Sequence, residues 1–375
     1  MNLQSIINYY KDNKTMLKSW ENNTSYVSPV FIIELTYKCN AKCGFCDRWK
    51  NENIIESELT KEKIINLAVE MKNLGVQRVN FTGGEPFLKK GVFEIIKYYR
   101  AQGMQVSANS NGILLEKYFE EIKNSNISSI KVSIDSPFAD VHDEIRGIKG
   151  AYEKAINGLL KLKEAGISIG LGAVITKRGI EESKILLEKA MELDLQIRFQ
   201  PIHDDRKYNA TLRVTDNSLL FSKNDYEYLN TQIKGLIEKM RSNSWFNWIE
   251  EVYYKQVPMF LSTPEKMSRL RCFTAGRMIY FINPKGDVFP CESRRDVLLG
   301  NVNKNTIKEI INSEKAVEFR DRLAKSRENC FCMYRCVALS NIQYQFLPLI
   351  PIPGMNGFPV RNKWMKWLKE KHGKY

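Results

Sequence analysis

Apolar and polar residues alternate with two different periods along the middle of the chain. Short apolar runs between polar residues are typical of buried strands, and apolar residues at every third or fourth position are typical of helices. The predicted strands are Val30–Thr36, Arg78–Thr82, Val106–Ser110, Ile130–Ile134, Ile167–Val174 and Gln196–Pro201. The predicted helices between them are Thr60–Leu74, Val92–Gln102, Leu115–Asn124, Ala151–Ala165 and Ile180–Leu193. This alternation predicts parallel strands joined by crossover helices.

Six strand–helix units are two fewer than the eight of a closed barrel. We therefore predict an α/β fold, a partial (β/α)6 TIM-like barrel over residues 29–205. The flanking regions are predicted as an N-terminal helix (1–28), a helical bridge (206–265), a small C-terminal α+β domain (266–345) and a tail (346–375). The small domain contains a hairpin, because Asn283–Asp287 supplies turn residues between two apolar runs.

Polar and glycine-rich clusters follow the first four predicted strands. In order, these are Cys39, Cys43 and Cys46, then Gly83 to Pro86, then Ser110 and Asn111, and finally Ser133 and Asp135. In parallel sheets with crossover helices, the carboxyl ends of the strands share one rim and carry the chemistry. The sequence therefore predicts one site built from these clusters.

Composition and charge exclude several classes of protein. The chain has 375 residues, of which 43% are hydrophobic and 27% charged, as in folded globular proteins. No apolar run reaches the ~18 residues of a membrane span, and the N-terminus lacks the apolar core of a signal peptide, so we expect a cytoplasmic protein. The net charge of +14 is spread over amphipathic segments. It indicates a solvated surface, and we expect no stable nucleic acid complex.

The eight cysteines fall into two groups. Clustered cysteines in a reducing compartment indicate metal binding or catalysis. The first group, Cys39-x3-Cys43-x2-Cys46, supplies three thiolates to an iron–sulfur cube and leaves one iron open to another ligand. Zinc is the competing interpretation, but structural zinc needs four ligands and no fourth cysteine or histidine lies nearby in the sequence.

This first group, with Phe45 before its last cysteine, resembles the signature of the radical S-adenosylmethionine (SAM) superfamily. Three further segments are similar to the family pattern, and they are Gly83-Gly84-Glu85-Pro86, Ser133-Ile134-Asp135 and His142–Gly147. The resemblance covers about residues 30 to 205. It implies a [4Fe-4S] cluster whose open iron is chelated by SAM. An electron from a donor such as flavodoxin or ferredoxin then cleaves SAM to a 5′-deoxyadenosyl radical, which abstracts hydrogen from the substrate.

The same resemblance implies roles for the neighbouring residues. Gly83 and Gly84 would let the backbone approach the methionine end of SAM, Glu85 would accept from its ammonium group, and Pro86 would fix the turn. Ser110, Asn111, Ser133 and Asp135 would line the ribose. Arg146 would pair with the SAM carboxylate, or else make only a structural hydrogen bond.

The second cysteine group resembles the auxiliary-cluster extension known as SPASM, or its shorter form, twitch. It comprises Cys272, Cys291, Cys330, Cys332 and Cys336, from which we infer one auxiliary [4Fe-4S] cluster. Cys272, Cys291 and Cys336 are the preferred ligands, with Cys332 ahead of Cys330 as the fourth. The spare thiol is either structural or a hydrogen donor, for which Cys330 is the candidate. Zinc remains open as an alternative, because four thiolates suit it too.

The substrate stays open at this stage. We expect a radical SAM oxidoreductase that carries out a two-electron oxidation, as a dehydrogenase or maturase, on a small, carrier-bound or peptide substrate. The alternatives are a redox-neutral epimerase or peptide-modifying enzyme with a cysteine hydrogen donor, and an enzyme acting on a lipid-linked or RNA substrate. The apolar tail around Phe346–Val360 raises membrane contact as an option. An iron–sulfur electron carrier is disfavoured, because it has no use for the segment Gly83–Pro86.

Overall fold

The computed structural model describes residues 22, 29–50, 57–203, 214, 216–243, 248–264, 272, 274–324, 333–334 and 338–339. The predicted N-terminal helix and the tail fall almost wholly outside these residues, as do Cys330, Cys332 and Cys336. No helix in the described ranges is both long enough and apolar enough to cross a bilayer.

The described strands and helices alternate through the first two thirds of the chain. The strands are β1 (Val30–Glu34), β2 (Arg78–Thr82), β3 (Gln105–Ser110), β4 (Ser129–Ser133), β5 (Ile169–Ile175), β6 (Gln196–Pro201), β7 (Ile279–Ile282), β8 (Asp287–Phe289) and β9 (Gly300–Asn301). The helices are α1 (Lys61–Asn73), α2 (Val92–Ala101), α3 (Phe119–Asn124), α4 (Ala139–Arg146), α5 (Ala151–Glu164), α6 (Ser183–Glu192), α7 (Tyr226–Met240), α8 (Trp248–Ser262), α9 (Ile307–Ile311) and α10 (Glu314–Ala324). A short 3-10 helix spans Pro86–Leu88.

All these strands lie in one sheet, in the order β6-β5-β4-β3-β2-β1-β7-β8-β9. Strands β1 to β6 are parallel neighbours in sequence order, which confirms the predicted partial barrel. Strand β7 also pairs in parallel with β1, with Phe31 opposite Tyr280. The predicted hairpin is present, since β8 returns antiparallel to β7. The sequence assigned this hairpin to the small C-terminal domain, and in the structure its strands continue the sheet of the barrel.

Alternate residues of each barrel strand face the helices and form the main hydrophobic core. Phe31 and Ile33 on β1, and Val79 and Phe81 on β2, are buried there. The intervening position Asn80 is only half-buried, and so are the matching positions on β3. Strands β2 and β3 therefore bury one face against the helices and present polar side chains on the other, which is the interior of the barrel.

Most predicted boundaries agree with the structure within a few residues, and β2 and β6 agree at both ends. Helix α4 was not predicted. It has eight residues, and five of them are polar or charged. Too few apolar residues remain for a helical pattern to be recognised in the sequence. Gly147 ends it in the left-handed conformation, with φ 64°. The predicted bridge contains α7 and α8, two long helices that pack against each other.

Candidate functional site

The loop after β1 carries the first three cysteines and is held by α4. The Lys42 amide donates to the Arg146 carbonyl at 2.9 Å, and the Gly44 amide donates to the Ile145 carbonyl at 3.3 Å. A side chain on Gly147 would press against the Lys42 carbonyl oxygen at 2.6 Å, so only glycine allows this approach. The segment that ends in Gly147 therefore supports the cysteine loop through backbone contacts.

Of the three cysteines in this loop, Cys43 is buried and Cys39 and Cys46 are half-buried. Burial raises the pKa of Cys39 to about 12 and that of Cys43 to about 11. The Arg146 guanidinium opposes the rise at Cys43, because its Nη1 lies 3.7 Å from the Cys43 sulfur. Thiolates in this environment need a positive partner, and iron supplies one. The donor set therefore fits a metal cluster.

Cys39, Cys43 and Cys46 lie close enough to influence one another electrostatically. Three such thiolates can serve an iron–sulfur cube, in which each binds a different iron. Within the described ranges, no group of three or more His, Cys, Asp or Glu side chains is placed to hold a single metal ion.

Gly83 and Gly84 lie against the segment that leads into Cys39. The Gly84 amide donates to the Thr36 carbonyl at 2.8 Å. A Cβ on Gly83, whose φ is +143°, would meet that same oxygen, and one on Gly84 would overlap the Lys38 carbonyl group. Glycine is required at both positions because the backbone of Thr36 and Lys38 lies too close for a side chain. The sequence analysis did not predict this role. Their contact with SAM stays a prediction.

Glu85 is completely buried and collects three donors. Its carboxylate accepts from the Ser110 hydroxyl at 3.0 Å, the Phe87 amide at 3.3 Å and the Asn111 amide at 2.8 Å. Burial nevertheless raises the pKa of Glu85 to about 7, and the hydrogen bonds only moderate the rise. Pro86 begins the short 3-10 helix as predicted. The structure therefore brings the clusters after β2 and β3 together.

Asn111 connects this group to the first cysteine. Its side-chain amide donates to Asn40 Oδ1 at 2.7 Å and lies 3.9 Å from the Cys39 sulfur. The ends of β1, β2 and β3 thus meet at one point, as the rule for parallel sheets predicts.

Asp135 and Arg146 form a buried pair on the other side of the cysteine loop. Arg146 Nη2 lies 2.5 Å from Asp135 Oδ2, and Asp135 Oδ1 accepts from the Val174 amide at 2.9 Å. The Arg146 guanidinium also lies over the Phe45 ring, 5.5 Å from its centre. Both side chains have protein partners here, so the predicted contacts of Asp135 with ribose and of Arg146 with the SAM carboxylate stay predictions. Ser133 ends β4, half-buried, on the same rim.

The barrel interior holds polar residues that sequence reasoning missed. A cavity of about 840 Å³ is lined by Asn80, Ser107, Asn109, Lys131 and Arg198, and it extends to the amino ends of β4, β5 and β6, away from the cysteine rim. Asn80 donates to Ser107 at 2.8 Å and accepts from Asn109 at 3.2 Å. The Lys131 side chain crosses Gly172, where an added Cβ would lie 3.1 Å from Lys131 Cδ. The strict polar–apolar alternation in β2 and β3 was the signal that could have identified this lining.

The second cysteine group is partly described. Cys272 and Cys291 are buried in one apolar cluster with Ala275, Ile279, Phe281, Phe289, Phe319 and Leu323. The buried Arg277 guanidinium interacts electrostatically with Cys272. Burial, together with the nearby Arg320, lowers the pKa of Arg277 to about 10. Thiolates would balance this positive charge, so these residues also fit a metal cluster.

The segment between Cys332 and Cys336 touches the barrel through Met333. The Met333 amide donates to His203 Nε2 at 3.3 Å, and its carbonyl accepts from Gln200 and Tyr253, both at 2.9 Å. His203 Nδ1 lies 2.7 Å from the Pro201 carbonyl, so this ring is neutral with its proton on Nδ1. Burial lowers the pKa of His203 to about 4, in agreement with that state. His203 is therefore a structural residue at the end of β6.

Comparison with known proteins identifies two domains in this chain. Residues 33–187 match the model of the Radical SAM superfamily. Residues 33–187 therefore form a radical SAM domain. Residues 272–337 match SPASM, an iron-sulfur cluster-binding domain, and this range includes all five C-terminal cysteines. The cofactors of this radical SAM enzyme are therefore SAM and iron–sulfur clusters.

Relatives of this radical SAM enzyme act in different reactions. An AdoMet-dependent heme synthase of Methanosarcina barkeri is 26% identical over 318 residues, which are 81% of this chain and 88% of that protein. A PqqA peptide cyclase of Granulibacter bethesdensis is 25% identical over 265 residues, 70% of this chain and 67% of that protein. The structure of Streptococcus suis SuiB bound to S-adenosylmethionine has a TM-score of 0.60 and 15% identity, and the match covers 82% of this chain and 71% of SuiB. The SuiB likeness shows the fold.

Proposed function

We propose that this enzyme cleaves SAM reductively and oxidises its substrate by two electrons, with one auxiliary [4Fe-4S] cluster as the electron acceptor. The observation that carries the proposal is the pairing of β7 with β1 in one sheet. Cys39 follows β1 after a short loop, and Cys291 follows the hairpin that begins with β7. Cys39 lies beyond the carboxyl end of β1, whereas Cys291 follows β8, which runs antiparallel toward the amino end of β7. The contact of Arg48 with Glu292, the residue after Cys291, connects the two cysteine loops and supports an auxiliary cluster near the site where the substrate radical forms.

SAM supplies the hydrogen-abstracting radical once the cluster in the first loop is reduced. The residues of the chain bind the two clusters and SAM. Cys39, Cys43 and Cys46 bind the cluster, and α4 fixes their loop. Glu85 accepts from the SAM ammonium group, which would remove the cost of burying its charge. Cys272 and Cys291, with two of the three later cysteines, bind the auxiliary cluster.

The proposed substrate extends from the cysteine rim into the polar interior of the barrel, whose cavity runs to the amino ends of β4, β5 and β6. The cavity there has a volume within the usual range for small-molecule sites, about 300–1,000 Å³. Its lining of amides, hydroxyls and the cationic Lys131 and Arg198 favours a polar group over a hydrocarbon chain. These features support a small or carrier-bound polar substrate. The named relatives include a heme synthase and a peptide cyclase, so sequence likeness leaves the substrate open.

Anaerobic reconstitution with iron and sulfide tests the proposal. The wild-type protein is expected to hold roughly eight irons per chain, as two four-iron clusters. With dithionite it is expected to convert SAM slowly to 5′-deoxyadenosine and methionine without substrate. Joint replacement of Cys39, Cys43 and Cys46 by Ala should remove one cluster, keep the other and abolish SAM cleavage. Unchanged iron content in that variant, or SAM cleavage at the wild-type rate, would overturn the assignment.

A further inference from the structure

Four charged residues connect the two cysteine loops. Glu34 ends β1, Arg48 lies two residues after Cys46, and Glu292 and Arg295 follow Cys291. Arg48 Nε lies 2.5 Å from Glu34 Oε1, and Arg48 Nη2 lies 2.5 Å from Glu292 Oε1. One guanidinium therefore touches a carboxylate from the barrel and another from the SPASM domain.

Arg295 completes the set from the SPASM side. Its two terminal nitrogens donate to the two Glu34 oxygens at 3.0 and 2.8 Å. The Arg295 guanidinium also lies 4.1 Å from the centre of the Phe281 ring on β7, which fixes its plane. Glu34 is thus clamped between Arg48 and Arg295.

Burial makes this arrangement restrictive. The side chain of Glu34 is completely buried, and those of Arg48 and Arg295 are only 13% and 7% exposed. The two positive and two negative charges balance, so every member needs its partners in place. Movement of either loop would leave a buried charge without its partner. A bidentate guanidinium also demands a defined geometry, which a flexible surface pair does not.

We propose that Arg48 is a positioning residue that couples the two cluster loops. Through its contacts with Glu34 and Glu292, it fixes the position of the Cys46 loop relative to the Cys291 loop. Arg48 lies close enough to Cys46 to interact with it electrostatically. Each loop consequently takes its cluster-binding conformation when the other loop is in place. A change in the SPASM loop therefore alters the environment of the SAM-binding cluster.

The decisive variant is Glu292→Gln, which keeps the shape of the side chain and removes its charge. Glu292 is 17% exposed, so this variant is expected to fold. After anaerobic reconstitution, the midpoint potential of each cluster is measured by titration followed with electron paramagnetic resonance, and the dissociation constant of SAM is measured on the same samples. Although Glu292 lies in the SPASM domain, we expect a shifted potential of the SAM-binding cluster and a weaker SAM affinity, by about tenfold as for the outer partners of metal ligands.

Two variants of Arg48 complete the test. Arg48→Met removes both ion pairs, and it is expected to lower the iron content of both clusters. Arg48→Lys keeps one positive charge without the planar fork, so it is expected to restore part of the loss. The control is the exposed pair of Arg241 and Glu251, where Nη2 and Oε1 are 2.7 Å apart and far along the chain from any cysteine. Arg241→Met and Glu251→Gln should leave both clusters unchanged.

Two results would overturn the coupling. One is a Glu292→Gln protein in which the SAM-binding cluster keeps its wild-type potential and SAM affinity. The other is a set of variants whose melting temperatures fall while both potentials stay constant, because the pairs would then serve stability alone. All these measurements are made without substrate. They therefore test the coupling through Arg48 separately from the proposed two-electron oxidation.

Discussion

Arg146 and Asp135 form an ion pair of 2.5 Å, buried beside the loop that carries Cys43. The same guanidinium lies 3.7 Å from the Cys43 sulfur and over the Phe45 ring. One side chain thus connects the end of β4 with the cluster loop. Its position suits two roles, one in holding the loop and one in binding the SAM carboxylate.

Replacing Arg146 separates these roles. Arg146→Met leaves Asp135 buried without its cation, and loss of one partner of a buried pair costs about 3–5 kcal/mol. We expect a lower free energy of unfolding in urea for the apoprotein. Binding of SAM to the reconstituted variant is measured alongside. Normal SAM affinity in a destabilised protein would restrict Arg146 to a structural role.

Gly84→Ala tests the close approach between the GGEP segment and the cysteine loop. The new methyl group would overlap the Lys38 carbonyl group, so the backbone before Cys39 must move. We expect loss of about four irons per chain, the content of one cluster. Gly170→Ala is the control, because its nearest neighbour would be the Gln196 oxygen at an ordinary 3.5 Å. Full iron content in Gly84→Ala would show that the loop tolerates the shift.

Glu85 predicts a dependence of stability on pH in the absence of SAM. Its pKa is about 7 in the folded protein, against 4.5 as the ordinary value, and burial is the main cause. The folded state therefore binds more protons than the unfolded state between these values, and stability is lost as pH rises from about 4.5 to above 7. The loss attributable to Glu85 is about 3 kcal/mol. Unfolding of the apoprotein by urea at pH 5 and pH 8 measures most of this loss.

Glu85→Gln serves as the comparison, because the amide does not titrate. This variant should lose the part of the pH dependence that comes from Glu85. In the wild-type protein, the affinity for SAM should rise with pH across the same range, because the SAM ammonium group favours the ionised Glu85 carboxylate. A Gln variant with the wild-type pH profile would assign the slope to other groups.

The spare thiol of the SPASM domain decides between oxidation and a redox-neutral reaction. Of the five cysteines there, four suffice for a cube. Single Ala variants of Cys330 and Cys332 are compared for iron content and for substrate turnover. We expect the variant that keeps the auxiliary cluster to keep activity, because an oxidation needs no hydrogen donor. An inactive variant with an intact cluster would instead indicate an epimerase.

The sequence by itself determined the local structure and the chemistry of the cluster ligands. Strands β2 and β6 follow from short apolar runs between polar residues, and the β7–β8 hairpin follows from its Asn-Pro-Lys-Gly-Asp turn. These features depend on neighbours a few positions apart, so periodicity and turn chemistry reveal them. The spacing of Cys39, Cys43 and Cys46 likewise lies within one loop.

Only the tertiary structure decided how distant segments meet. The contact between Arg48 and Glu292 joins residues 244 positions apart, and it exists because β7 lies beside β1 in the sheet. Glu85, Ser110 and Asn111 meet because β2 and β3 are parallel neighbours. No local pattern encodes such contacts, since they depend on strand order and on which charges become buried together. The fold thereby determines which of the residues that the sequence made available are partners.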